Sequence, residues 1–382
     1  MNERPVKVVG AGAYLPGEPV KFHDIEKVLG ELTEVNDDFK KWYKRTRNLM
    51  YQILGMENYY YAIDPETGLA NDTCAGLAGK AGRAALKMAN MDAQEIDLLI
   101  YAGSSNDRFI CPPTSTFVQQ ELGIEYCAEM SIHSNCTATY KALQVASDMI
   151  ANGRYKTAMV CSSNLVSSAL RADFYNQAKL EKNQAILRWF LCDGAGAIIL
   201  KADESGSPGL YFRDSYVESV GSKYSPHMYN SMGASTAGPR LDYLAGNHHI
   251  TQDYRDVSQL GPKLFIDGFL KFCDQLRDKL GEEEYKRRVH DAKYFLVNVP
   301  TRHLIDLTAD ELKVKFRELR DAKFDMYYST TEKRGYTGPA AILITLEKLM
   351  SQEKLENRDA IISFVTESSK WMHAGFLLEY VG

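Results

Sequence analysis

Residues Ser131–Gly153 read SIHSNCTATYKALQVASDMIANG. A short strand, Ala128–His133, leads into the turn Ser134-Asn135-Cys136-Thr137. A helix of small and apolar residues follows over Ala138–Ile150, with Asn152-Gly153 as its stop signal. A thiol at a helix N-terminus feels the positive end of the dipole and unpaired backbone N–H groups, and both lower its pKa. The same N–H groups can hold the oxyanion of a thioester under attack. The commonest fate of a free cysteine is that of a small buried hydrophobe. The pattern alone therefore leaves Cys136 as either a nucleophile or a structural thiol.

Around this segment the chain alternates apolar strands and helices. Val6–Gly10, Ile96–Gly103, Ala158–Ser163 and Ala195–Leu200 read as buried strands. Ala70–Met91 and Thr114–Leu122 read as helices. Ser205 to about Leu260 is rich in Gly, Ser, Tyr and His with weak periodicity, so long loops or an insertion are expected there. Beyond it a helix at Leu260–Leu280, a strand at Tyr294–Val299, a helix around Ala309–Leu319 and apolar segments at Ala340–Met350, Ala360–Val365 and Phe376–Val381 resume the pattern. This predicts two similar α/β units with mainly parallel sheets. The expected divisions are 1–204, a half carrying the cysteine, 205–260, a loop-rich insertion or connection, and 261–382, the second half.

The 382 residues are 45% hydrophobic and 25% charged with a formal net charge of −5, an ordinary globular balance. That charge excludes a strongly basic nucleic-acid binder and gives no basic membrane-surface patch. No uncharged apolar run reaches the ~18 residues of a membrane span. The N-terminal MNERPVKVVGAGAYLP has no apolar signal core. Seven cysteines without CxxC clustering argue against a disulfide framework or a structural zinc site and for a reducing, cytoplasmic compartment. His248-His249 lie in loop context without carboxylate spacing, so no metal is expected. Asp193-Gly194-Ala195-Gly196 precedes a strand and lacks phosphate-loop spacing, so it reads as a tight turn.

Five N-terminal segments occur in the order and approximate spacing of one family: Val6–Val20 (VKVVGAGAYLPGEPV), Ser104–Ile124 (SSNDRFICPPTSTFVQQELGI), the Cys136 turn and helix, Ala158–Ser167 (AMVCSSNLVS) and Leu191–Leu200 (LCDGAGAIIL). Together they resemble the β-ketoacyl-ACP synthase III branch of the thiolase superfamily. A looser likeness continues in KYFLVNVPTRHLID, RGYTGPAAILITL and ISFVTESSKWMHAGFLLEYV. The resemblance implies a thiolase fold, two pseudo-duplicated αβαβα halves forming a five-layered α/β unit, as a homodimer. It implies Cys136 as the acyl-accepting nucleophile, with acyl-CoA or acyl carrier protein as substrate and no separate cofactor.

The departures from the family fall on its catalytic groups. Direct alignment places Asn298 at the position of the family histidine, with His303 one helical turn further on. The family asparagine is replaced by Tyr336 or Thr337, and the Gly-rich segment by Thr366-Glu367-Ser368-Ser369. His303 is then the candidate base, and Glu367 and Ser368 are candidate substrate contacts. Trp42 with Arg45 or Arg47 would bracket the CoA adenine by stacking and phosphate pairing. His133 precedes the thiol by three residues, and strand alternation would turn it away; His373 reads as structural. Tyr224, Tyr229 and Tyr243 are candidates for an acyl pocket.

The expected function is therefore acyl transfer from a CoA or carrier-protein thioester through Cys136 to a small-molecule acceptor, in specialised metabolite biosynthesis. A condensing enzyme with rearranged groups, or a non-catalytic partner of an active paralogue, are the alternatives.

Overall fold

A computed structural model of the chain describes residues 4–108, 110–233, 238–315 and 328–382. Its strands are β1 (Val6–Tyr14), β2 (Leu98–Gly103), β3 (Ala128–His133), β4 (Thr157–Asn164), β5 (Gly194–Ala202), β6 (Gly209–Ser219), β7 (Met228–Tyr229), β8 (Thr251–Gln252), β9 (Tyr294–Val297), β10 (Ala360–Glu367) and β11 (Met372–Val381). The longer helices are α1 (Asp37–Leu54), α2 (Cys74–Ala89), α3 (Thr114–Leu122), α4 (Ala138–Ala151), α5 (Tyr254–Leu280), α6 (Arg302–Lys315) and α7 (Ala341–Gln352).

Nine strands follow one another in the order β3-β2-β4-β5-β1-β6-β11-β10-β9. The first five form the N-terminal half-sheet and the last four repeat the order in the C-terminal half. Among the described residues the two half-sheets are joined where Val6–Val8 of β1 pairs with Leu210–Phe212 of β6.

Every residue of β2 is buried, and its side chains divide by period two. Leu98, Ile100 and Ala102 face a core shared with α4 and α7. Leu99 and Tyr101 face α2. In β10, Ile361 and Val365 enter the shared core while Ile362 and Phe364 face α5 and α6. The layers are thus α2 and α3, the first half-sheet, α4 and α7, the second half-sheet, and α5 and α6. This is the five-layered arrangement that the family resemblance implies.

Three expectations change in detail. The half-sheets are mixed: β2 runs parallel to β3 and β4, whereas β4, β5 and β1 are antiparallel neighbours. In the second half, among the described residues, only β9 and β10 are parallel. The link between β10 and β11 is four residues long, which suffices for a hairpin but not for a crossover. Residues 205–260 are not all loop. Gly209–Ser219 forms β6, held between β11 and β1, and α5 begins at Tyr254. Its half-exposed side chains blurred the alternation that marks the other strands. The helix expected around Ala309–Leu319 begins at Arg302; residues 316–319 lie outside the described residues. Among the described residues no helix is long and apolar enough to cross a membrane.

Candidate active site

Cys136 sits between the end of β3 and the start of α4, at the floor of a cavity of about 650 Å³. The floor also carries Asn298, Tyr336 and Glu367, and the walls are largely apolar, with Val166, Phe190, Leu191, Ile250, Phe265 and Leu304. Sequence reasoning thus named four groups that the fold brings to one place from β3, β9, β10 and the loop before α7.

The N-cap residue of α4, Thr137, makes no capping bond with its own side chain. Glu367, the last residue of β10 and only 1% exposed, does so from 230 positions away. Its Oε2 accepts from the Thr137 backbone N–H at 2.9 Å and from the Thr137 hydroxyl at 2.5 Å. The Ser134 hydroxyl lies 3.0 Å from the same oxygen, and the Ser369 hydroxyl donates to Oε1. A carboxylate at a helix N-terminus is favoured by the dipole, and these donors offset the cost of burying it.

The same carboxylate reverses the expectation for the thiol. Burial, then the Glu367 charge, push Cys136 up from 9.0 to about 12. The dipole that would have activated it is occupied by a residue that sequence proximity cannot reveal. The Tyr336 hydroxyl, 3.2 Å from Cys136 Sγ, works the other way as a hydrogen-bond partner for the thiolate. Tyr336 is itself pushed well above its ordinary value by burial, and the Cys192 backbone N–H fixes its carbonyl at 3.1 Å.

Asn298 follows β9 directly and is 4% exposed. Its amide donates to the Gly338 carbonyl at 3.2 Å, while Oδ1 has no partner. Thr337, the other residue aligned with the family asparagine, is fully buried with an unpartnered hydroxyl. Ser368 lines the cavity, and its carbonyl accepts from the His227 backbone N–H.

Four candidate site residues lie outside the cavity lining. His303 is exposed on α6 and does not line the cavity, although its neighbour Leu304 does; the helix turns its ring outward. Trp42 packs against Phe39 and Tyr43 in a satellite core, under Lys182. Arg47 pairs with Glu26 and donates to the His23 carbonyl. Arg45 is exposed, and none of these three lines the cavity. In contrast His133 does line it, because Cys136 lies in the turn beyond β3, where strand alternation does not relate the two side chains. Of the three tyrosines, Tyr229 lines the cavity, whereas Tyr224 packs on Trp371 and Tyr243 stacks on His248.

Sequence reasoning missed Lys141. One and a half turns beyond the thiol, its Nζ donates to the Ser134 hydroxyl at 2.9 Å. Burial pushes its pKa down and the Glu367 charge opposes this. The helical spacing from Cys136 was the available signal, but it gives no hint of Glu367. Among the described residues no cluster of His, Cys, Asp and Glu is arranged to hold a metal ion.

The family model for 3-oxoacyl-[acyl-carrier-protein (ACP)] synthase III matches residues 130–219, the stretch containing the Cys136 turn and α4. A β-ketoacyl-[acyl-carrier-protein] synthase III of Rhizorhabdus wittichii is 23% identical over 359 residues, covering 94% of each chain. The chain is therefore similar to the synthase III family in the stretch around its cysteine and, at low identity, along nearly its whole length. Solved structures agree on the fold. The tetronic acid condensing enzyme AbyA1 superposes with a TM-score of 0.75 at 24% identity, covering 98% of this chain and 99% of that one. The 3-oxoacyl-[acyl-carrier-protein] synthase III of Aquifex aeolicus gives 0.70 at 19% identity, covering 98% and 100%.

Proposed function

We infer that this synthase III-like protein is an acyltransferase that takes an acyl group from a CoA or carrier-protein thioester onto Cys136 and passes it to a small acceptor. The observation that carries this reading is the Cys136 thiol on the cavity floor, 3.2 Å from the Tyr336 hydroxyl. In the acylation step the sulfur attacks the thioester carbonyl, and the new C–S bond replaces that of the departing thiol. The proton of Cys136 leaves with that thiol, so no cofactor is consumed. Tyr336 supports the sulfur while it carries charge.

Asn298 and Tyr336 stand where the family resemblance expects a histidine and an asparagine, and this argues against ordinary decarboxylative condensation. The same departure favours a role in specialised biosynthesis. Seven free cysteines among the described residues fit the cytoplasmic setting proposed with it, and a homodimer completes the reading, which light scattering tests.

Intact-protein mass spectrometry after exposure to hexanoyl-CoA tests the central step. One hexanoyl adduct is expected on the native protein and none on Cys136→Ala; an adduct that survives the substitution removes Cys136 from the reaction.

A further inference from the structure

Trp371 lines the cavity that holds Cys136 and is 1% exposed. It closes the link between β10 and β11, whose last pair is Glu367 with Met372. Its φ is 56°, a left-handed conformation that turns usually give to glycine and that a bulky side chain rarely adopts. Strain of this kind persists where the surroundings over-determine it, and it concentrates at functional sites. Here the Val220 backbone N–H donates to the Trp371 carbonyl at 3.0 Å, and the indole N–H donates to His227 Nδ1 at 2.8 Å.

An indole nitrogen can only donate. Nδ1 of His227 is therefore the acceptor, and Nε2 carries the ring proton 3.5 Å from Asp256 Oδ2. The backbone of His227 is fixed on both sides. Its N–H donates to the Ser368 carbonyl at 3.1 Å, and its carbonyl accepts from the Asp253 N–H at 2.8 Å. His227 and Tyr224 both pack edge-on against the indole, and neither lines the cavity. The indole is thus the partition between the cavity and these two rings. Across from it, α5 carries Gly261 and Pro262, two poor helix formers, where it lines the cavity. A Cβ at Gly261 would lie 4.0 Å from Trp371 Cη2, so the helix gives up side-chain volume where the indole edge approaches. The wall beside them is apolar, with Val257, Phe265, Val299 and Leu304.

We propose that Trp371 sets the size of the acyl group that Cys136 accepts, with His227 as the positioning residue that holds its indole. This rests on Cys136 carrying the acyl group, as inferred above. The ligand concerned is the hydrocarbon chain of the thioester, which the apolar wall suits and whose extension the indole blocks. His227 lies behind the indole and acts on that chain through Trp371 alone.

The test offers equimolar hexanoyl-CoA and dodecanoyl-CoA to the protein and follows the two Cys136 adducts by intact mass at early times. Truncation in Trp371→Ala shifts the ratio of loading rates at least about tenfold towards dodecanoyl. Gly261→Leu adds volume from the opposite wall and shifts the ratio at least about tenfold towards hexanoyl. That variant also replaces a helical glycine by a good helix former, so it decides the matter should Trp371→Ala not fold. His227→Ala moves the ratio in the same direction as Trp371→Ala, and His227→Asn, which keeps an acceptor for the indole N–H, returns it towards the native value. Native ratios in Trp371→Ala and Gly261→Leu, with acyl-enzyme still formed, overturn the assignment of Trp371 while leaving Cys136 as the nucleophile. A native ratio in His227→Ala overturns the positioning role of His227. Absence of any acyl-enzyme on the native protein removes the acyltransferase reading itself, and this inference with it.

Discussion

The two halves share a strand order but bury their outer helices by different means. In the N-terminal half α2 lies almost on the backbone of β1. A Cβ at Gly12 would come within 2.1 Å of the Ala81 carbonyl oxygen, and one at Gly10 within 2.4 Å of that of Ala85. The interface is filled by Ala75, Ala78, Ala81 and Ala85. The C-terminal half keeps α5 further from its sheet with Phe265, Phe269, Phe272, Phe295 and Phe364. Phe269 stacks on Phe295 at 5.0 Å and meets Phe364 edge-on at 5.4 Å. One topology is thus stabilised by close backbone approach on one side and by aromatic volume on the other. Close approach tolerates no added atom, whereas a thick apolar layer tolerates no lost ring.

The largest break in this contrast is expected from Phe269→Ala. The side chain is fully buried, and its loss leaves a cavity between three rings, at a cost of about 3–5 kcal/mol read by urea denaturation. The opposite change in the other half, Gly12→Ala, adds one methyl against helix backbone and costs about 1–3 kcal/mol. If Gly12→Ala costs less than Ala substitutions on exposed surfaces, α2 can slide and the close-packed description of that half fails.

Acid gives a smaller and more selective comparison. Burial lowers His373, on β11 of the C-terminal half, from 6.5 to about 4. Its stabilising share is present above pH 6.5 and is lost as pH falls towards 4. Burial raises Asp193, in the N-terminal half, from 3.8 to about 6, against donation from Ala62 and Ser167. A raised carboxylate contributes most below pH 3.8 and loses that share as pH rises through 6. Acidification from pH 6.5 to 4 therefore weakens one half through His373 and relieves the other through Asp193. His373→Gln should flatten the acid-side decline in melting temperature, and Asp193→Asn should steepen it. Equal shapes for both variants would show that neither residue governs acid stability.

Much of the fold was legible in the residues. The continuous apolar run of β2, the small-residue pattern of α2 and the stop at Asn152-Gly153 each follow from local rules, and they came out as strand, helix and helix end. The Cys136 turn was legible for the same reason: a strand, a polar turn and a helix are adjacent in sequence. β6 was not, because a strand with half-exposed faces loses its alternation. The placement of His303 was not legible, because its position in the sequence fixes the helix it belongs to but not the side of that helix that meets the cavity.

The sequence by itself determined the alternation of strands and helices, the family likeness and the position of the thiol at a helix start, since these depend on residues near one another in the chain. Only the tertiary structure decided the state of that thiol. The carboxylate capping its helix and the hydroxyl beside its sulfur come from positions 230 and 200 residues away. Their effect depends on burial and on distances of about 3 Å, neither of which a linear pattern records. For that reason the thiol that local rules make reactive is pushed up to about 12 by burial and the Glu367 charge, with the Tyr336 hydroxyl 3.2 Å from its sulfur acting the other way.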